Sequence, residues 1–277
     1  MNITFNIEDE AVAEKMKKVA FIDLETSLVT AKIFQTGNQY IKIDQVKDTT
    51  KILTAAGGSM YDLYTKGAAG VWAYGNHMFD TFDADPMDDT EILKKLWAVL
   101  DEADTVVAHN SRFDIGMLQG RFLEMGMPLP RPYKVVCTYK GLSGFSMNSK
   151  KLDQLSKVLI GSKKISTSWS LWDRCSEGDI EAFREMVNYC IGDIYDTLFK
   201  VYCRTAAYYP KKAVDLSIPG RICCKVSGHP LVGAGTWVNP NNGNEYTLYH
   251  NPELNIYYRD RYKRDAKKAG MGFLVPL

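Results

Sequence analysis

Lys17-Lys18-Val19-Ala20-Phe21-Ile22-Asp23-Leu24-Glu25-Thr26 is the stretch on which the fold turns. A short apolar run bounded by polar residues reads as a buried strand, and this run ends abruptly in carboxylates at its C-terminal end. Side chains two apart on a strand face the same way, so Asp23 and Glu25 share a side. A pair so placed can hold one hard cation. Two solvated carboxylates at a turn would look the same in sequence.

Working outward, strands are expected from Ile52 to Ala56 and from Val71 to Tyr74, punctuated by Gly57-Gly58 and Gly75-Asn76. From Asp88 the period changes. Asp88 or Asp89 caps a helix whose apolar face is Ile92, Leu93, Leu96, Trp97 and Leu100. Thr105 to Ala108 reads as a strand ending in His109-Asn110. A second helix carries Ile115, Leu118, Phe122 and Met125 and stops at Gly126. Val135 to Tyr139 suits a strand, and Leu152, Leu155, Val158 and Leu159 suit a short helix. Gly178-Asp179 opens the longest helical stretch, with Val187, Ile191, Ile194, Leu198 and Val201 as its buried stripe, running to about Tyr202. Strands alternating with helices imply an α/β domain built on a mixed sheet flanked by helices. Pro210 and Pro219 bracket a linker. Strand-like runs follow at Tyr246 to Tyr249 and Ile256 to Tyr258. The expected division is a domain over 15–205, a linker over 206–220, a small β-rich module over 221–264 and a tail over 265–277. Residues 259–270 are basic and are expected to be mobile.

Composition sets the limits. Of 277 residues, 45% are apolar and 24% charged, enough to bury a sizeable core and unlike a disordered chain. No stretch approaches the roughly 20 apolar residues that span a bilayer, and residues 1–20 lack the order of a signal peptide. Six cysteines without a regular CxxC pair fit a reducing compartment, so a cytoplasmic protein with no membrane partner is expected. The balance of 34 basic against 33 acidic residues excludes a grossly basic nucleic-acid coat but leaves a local site open.

Two further patterns join the first. His109-Asn110-Ser111-Arg112-Phe113-Asp114 lies between a strand and a helix, where Asp114 meets the helix N-terminal dipole. Tyr189-x-x-x-Asp193 lies within the long helix, its i, i+4 spacing placing phenol and carboxylate on one face. Singly, Asp114 reads as a capping residue and Tyr189 as packing at the edge of the core. Taken together, four carboxylates at strand ends or on helices crossing them would repel one another unless divalent cations neutralise them. Oxygen-only ligands select Mg²⁺ or Mn²⁺.

Asp23-x-Glu25, Asn110-x-x-Phe113-Asp114 and Tyr189-x-x-x-Asp193 resemble, in order and spacing, the three motifs of the DEDD exonuclease superfamily, which includes the DnaQ-like proofreading exonucleases. A tyrosine four before the last aspartate matches the DEDDy branch; the other branch would have histidine five before it, where Asn188 stands here. The chain is also similar to a group of bacterial and phage exonucleases with a ribonuclease H-like fold. That likeness rests on Lys151-Leu152-Asp153-Gln154-Leu155 and on the stretch from Trp172 through Cys175 to Gly178-Asp179. It covers about residues 17–205, weakly over 28–85.

The resemblance implies a ribonuclease H-like mixed sheet and a 3′–5′ exonuclease that uses two Mg²⁺ or Mn²⁺ ions. It implies that Asp23 bridges both ions, that Glu25 and Asp193 complete the site on the nucleophile side, and that Asp114 holds the second ion largely through water. Tyr189 would orient the attacking water; a phenol titrating near ~10 is a poor base at neutral pH. The implied products are nucleoside 5′-monophosphates, the implied partner a single-stranded 3′ end with DNA favoured over RNA, and the acting species a monomer. Candidate substrate contacts are Leu24, Thr26, Asn110, Arg112, Phe113, Lys150 and Lys151, although Phe113 also reads as buried beside Asp114. His109 reads better as a structural histidine than as a base. An inactive nucleic-acid-binding module is the alternative from another class.

Members of that group often end in a zinc ribbon, and Tyr246 to Leu254 resembles its second knuckle with Asn251 and Leu254 at the cysteine positions. At the first knuckle Cys223 matches one place and Val226 takes the other. A structural zinc is therefore not expected, with Cys224, His229 and His250 the alternative ligands. The tyrosines and the basic tail either track a nucleic-acid backbone or pack on the main domain.

Overall fold

The computed structural model describes residues 2–33, 40–162 and 167–277. Asp9 caps α1 (Glu10–Lys17), its carboxylate accepting the Ala11 N–H. β1 (Val19–Thr26) follows, then β2 (Thr30–Ala31) and β3 (Val46–Asp48), which pair as a small ribbon. β4 (Ile52–Ser59) runs directly into α2 (Met60–Lys66), where Ser59 Oγ accepts the Asp62 N–H. β5 (Trp72–Gly75), α3 (Thr90–Glu102), β6 (Thr105–Ala108), α4 (Arg112–Glu124) and β7 (Lys134–Cys137) come next. α5 (Thr138–Gly141), α6 (Leu152–Ile160), α7 (Trp169–Ser176) and α8 (Ile180–Gly192) follow. A π-helical segment (Asp193–Phe199) joins α8 to α9 (Lys200–Thr205).

The main sheet is mixed, with strand order β5-β4-β1-β6-β7. β1 pairs antiparallel with β4 and parallel with β6, so it lies at the centre, where the apolar run of Val19 to Ile22 is needed. Its alternate residues feed two cores. Val19 and Phe21 pack with Met16, Leu198 and Tyr202 on one face, and Ala20, Ile22 and Leu24 pack with α3 and α4 on the other. Phe21 is wholly buried, with the rings of Phe199 and Tyr202 edge-on at 5.3 and 5.4 Å. Such contacts contribute about 0.5–1.5 kcal/mol each beyond burial. The α3 and long-helix stripes expected from periodicity are buried, except that Trp97 and Ile191 are only half-buried.

Several local expectations change. Gly57 and Gly58 do not end β4 but continue it. A Cβ at Gly57 would stand 2.4 Å from both the Phe21 carbonyl oxygen and the Trp72 ring, so glycine is there for close approach. The strand after β6 stops at Cys137, whose sulfur accepts the Lys140 N–H and starts α5, so Thr138 and Tyr139 are helical. Val158 is exposed, as is Met125 just past the end of α4.

The segment expected as a linker is packed. Tyr209, Ala213, Val214 and Leu216 are buried in the core shared with α9, and the Val214 N–H is donated to Tyr202 Oη. Beyond it, β8 (Val232–Val238), β9 (Glu245–Asn251), β10 (Ile256–Asp260) and β11 (Leu274–Pro276) form an antiparallel sheet of order β11-β10-β9-β8. The last stretch is therefore not wholly a mobile tail, because Leu274 to Pro276 pair with Tyr258 to Asp260. At the ribbon-like turns, Ser227 rather than Val226 faces Asn251. Ser227 Oγ accepts from Asn251 Nδ2 at 3.2 Å, and Asn251 Oδ1 accepts the N–H groups of Glu253 and Leu254. Cys224 Sγ lies 3.2 Å from Tyr258 Oη, and Cys223 Sγ accepts the Ile218 N–H.

One buried ion pair ties these layers together. Asp89 stands at the N-cap position of α3 but its side chain makes no cap bond, Asp88 accepting the Thr90 N–H instead; the Asp89 carboxylate accepts Arg121 Nε at 2.9 Å, Arg121 Nη2 at 2.7 Å and the Ile52 N–H at 3.0 Å. Both side chains are under 5% exposed, so α4 is pinned to the start of β4. Removing Asp89 leaves the buried guanidinium with only its exposed neighbour Glu124 as a carboxylate partner among the described residues. Asp89→Ala should lower unfolding stability by about 3–5 kcal/mol, read from the urea midpoint, and the Asp89→Ala/Arg121→Met double variant should lose less. Equal losses in the two would contradict this role.

Candidate metal centre

β1 pairs with β6 only from Val19 to Phe21, opposite Thr105 to Val107. Beyond that point β1 runs on alone beside β4, with Asp23 opposite Ala56 and Glu25 opposite Thr54. The strands part at their carboxyl ends, the position where α/β sheets commonly place ligands. Period 2 keeps Asp23 and Glu25 on the side of α8. α8 delivers Asp193, 2% exposed, at the residue where α-helix gives way to π-helix. Such a change of winding is frequent at functional sites. One oxygen from each of Asp23, Glu25 and Asp193 lies within 4.8 Å of the others.

Asp114 stands beside this trio rather than in it. The chain leaves β6 through Asn110, whose φ of 57° lies in the left-handed region, and turns into α4. Asp114, 3% exposed, accepts the backbone N–H of Leu24, the residue between Asp23 and Glu25. Burial pushes its carboxyl up to about 7, although the N–H groups of Asp114 itself and of Leu24 pull the other way. The four acidic residues are thus brought to one strand end as three clustered and one tethered to the backbone.

Cys190 was not singled out from sequence, although it lies three residues before Asp193. It is wholly buried, and its thiol lies 3.4 Å from the Asp23 carbonyl oxygen and 3.7 Å from Asp23 Oδ2. Burial, then Asp23, Glu25 and Asp193 in turn, hold that thiol well above its ordinary range. It stays protonated under the cluster. Tyr189 is 7% exposed, packs among Leu53, Phe183 and Met186, and meets the Trp172 ring edge-on at 6.4 Å.

His109 is half-buried at the end of β6 and bonded through both ring nitrogens. Its Nε2 donates to the Lys150 carbonyl oxygen at 2.9 Å, which assigns the proton, and its Nδ1 accepts from the Thr138 hydroxyl at 2.8 Å. The candidate substrate contacts separate by exposure. Leu24 is buried in the core and its N–H is given to Asp114, so its side chain does not reach a ligand. Phe113 is 46% exposed, not buried beside Asp114, and Asn110, Arg112 and Lys151 are exposed too. Thr26 is half-buried at the strand end, and Lys150, also half-buried, donates to the Ser143 carbonyl.

No protein-family model matches the chain, and no curated protein does. No helix among the described residues is long and apolar enough to cross a membrane.

The donor chemistry of the trio fits a hard divalent cation. Three carboxylates within 4.8 Å repel one another, and no histidine or cysteine joins them as a soft ligand among the described residues. A pH dependence follows from Asp114. The unfolded carboxyl titrates near ~4 and the folded one at about 7, so the folded state binds the proton more tightly. Its contribution is complete below the unfolded value and is lost as pH rises through the folded one. The melting temperature of chelator-treated protein should carry a component that falls between about pH 5 and about pH 8 and is missing in Asp114→Asn. Parallel profiles for the two proteins would contradict it.

Proposed function

We propose that the protein is a Mg²⁺- or Mn²⁺-dependent 3′–5′ exonuclease of ribonuclease H-like fold, acting on single-stranded DNA. The observation that carries this reading is the convergence of Asp23, Glu25 and Asp193 within 4.8 Å, with Asp114 hydrogen-bonded to the strand between the first two. A mixed sheet flanked by helices is what such a fold requires. The elements that meet are those carrying the three exonuclease-like motifs.

In this reading Asp23, Glu25 and Asp193 would hold one cation, and Asp23 and Asp114 would serve a second. Bound cations would supply Lewis acidity at the scissile phosphate and acidify the attacking water. The chain's own groups do the positioning. The Tyr189 hydroxyl, one helical turn before Asp193, orients the water for attack on the last phosphodiester. Asn110, Arg112 and Phe113, exposed at the start of α4, face the incoming 3′ nucleotide, while Thr26, Lys150 and Lys151 are further contacts at the rim. Water adds to phosphorus as the 3′ oxygen of the preceding nucleotide leaves with a proton, releasing a nucleoside 5′-monophosphate. All six cysteines are free thiols, in keeping with a reducing, cytoplasmic setting, and the acting species in this reading is a monomer.

Incubation with 5′-labelled single-stranded DNA and RNA tests this. With Mg²⁺ or Mn²⁺ a ladder of shortened products should appear, faster on DNA, and it should vanish with chelator. Asp23→Asn should slow it by at least ~10²-fold. No digestion with either metal would refute the reading, and cuts within a circular strand would refute the 3′-end specificity.

A further inference from the structure

Solvent-facing positions of an antiparallel sheet are ordinarily polar, because only the inner face needs apolar side chains. The C-terminal sheet departs from this. On β10, Ile256, Tyr258 and Asp260 are buried, so Tyr257 and Arg259 point outward. On β9, Tyr249 and Asn251 are buried, so Tyr246, Leu248 and His250 point outward too. Register adds Trp237, opposite Tyr246 on β8. The outward face thus carries three large aromatic residues, a histidine and an arginine, and none of its β9 or β10 positions is acidic.

These side chains are already arranged as stacks. The His250 and Tyr257 rings lie 4.2 Å apart at 20°. The Arg259 guanidinium lies 4.6 Å from the Tyr246 ring and 5.3 Å from the Trp237 ring. Tyr257 is still 41% exposed, leaving a ring face to water.

Along the β11 edge of the same sheet lies a cleft of about 570 Å³. Lys15, Lys134, Lys211, Lys225 and Arg261 line it, against one carboxylate, Asp215. Lys134 and Lys15 donate to main-chain oxygens of Ala213 and of Asp215 and Ser217, which do not cancel their charge. Among the described residues Lys225 is the cleft cation with a carboxylate partner, Asp215 at 3.1 Å. Burial lowers the Lys134 amine below its ordinary range, a cost that a bound anion would relieve. Val275, which lines the cleft, sits opposite Arg259 in the β10–β11 register, so the cleft adjoins the outward face.

We propose that this face and its adjoining cleft bind a single-stranded polynucleotide, with bases on the aromatic residues and backbone phosphates in the cleft. Flat π-faces suit unpaired bases of any sequence, and a cationic groove beside them suits the backbone. An acidic peptide would use the cleft but not the stacks. The choice of a polynucleotide rests on the exonuclease reading, which supplies a reason for a second hold on the strand.

The test measures binding, not cleavage. Full-length protein in chelator is titrated into a fluorescein-labelled oligothymidylate of about twenty nucleotides, by anisotropy, at several salt concentrations. Trp237→Ala/Tyr257→Ala should raise Kd about tenfold or more. Lys211→Gln/Arg261→Gln, both on exposed residues that the fold does not need, should flatten the slope of log Kd against log salt by about 0.7 per charge removed. Melting curves check that each variant is folded. Unchanged affinity in the folded aromatic variant would overturn the proposal, whatever the cationic variant does. A protein that binds through this face yet digests nothing with metal would refute the exonuclease reading and leave this one standing; an active protein indifferent to both variants would do the reverse.

Discussion

Mutual repulsion among carboxylates at the end of β1 is the constraint around which the main domain is arranged. Unit charges within 4.8 Å would repel by at least about 3.5 kcal/mol per pair at an effective dielectric near 20. A surface strand would splay to relieve this. Up to Phe21, β1 is held by β4 and β6 and by a core on each face; beyond it β4 alone flanks the strand, and α8 packs on β4 through Phe183 and Met186, which share a core with Leu53. The rigidity needed to keep Asp23, Glu25 and Asp193 together therefore comes from the centre of the sheet. The Asp89–Arg121 pair extends it to α4 and so to Asp114.

The site and its support were unequally legible in the sequence. Asp23 and Glu25 could be read because strand alternation is local, and Tyr189 with Asp193 because helical spacing is local too. The tether between Asp114 and the Leu24 N–H could not, since it depends on β1 and β6 parting after Phe21 and Val107, a fact of pairing length rather than composition. Phe113 looked equally suited to core and surface; the tight turn at Asn110 puts it outside. Gly57 and Gly58 carried the opposite meaning from the one their composition suggested, because the Trp72 ring at Gly57, and Leu63 with the Gly70 carbonyl at Gly58, occupy the space a Cβ would need. Asp89 read as a cap because its buried partner lies 32 residues away. The last strand escaped because Leu274 to Pro276 is short and follows a basic stretch, and only the waiting edge of β10 gives it structure.

The near-zero net charge of the chain hides a spatial separation. Acidic groups converge at the carboxyl end of β1, while five cations line the cleft beside the C-terminal sheet. That sheet shares one core with the main domain through Tyr249, Ile256, Tyr258 and Leu274, so the two regions are parts of one packed body. A hydrogen bond donated by Asn251 to Ser227 joins the turns at its base, and the small sheet keeps its shape through this bond and the shared core.

Manganese binding tests the central claim most directly. The free Mn²⁺ electron paramagnetic resonance signal should fall as protein is added, and added Mg²⁺ should restore it. The free Mn²⁺ signal should stay largely undiminished with Asp193→Asn, which removes the buried member of the trio and one of its three carboxylate charges. Undiminished free Mn²⁺ in the presence of the unaltered protein, or equal binding by the folded Asp193→Asn variant, would contradict a metal centre at the end of β1.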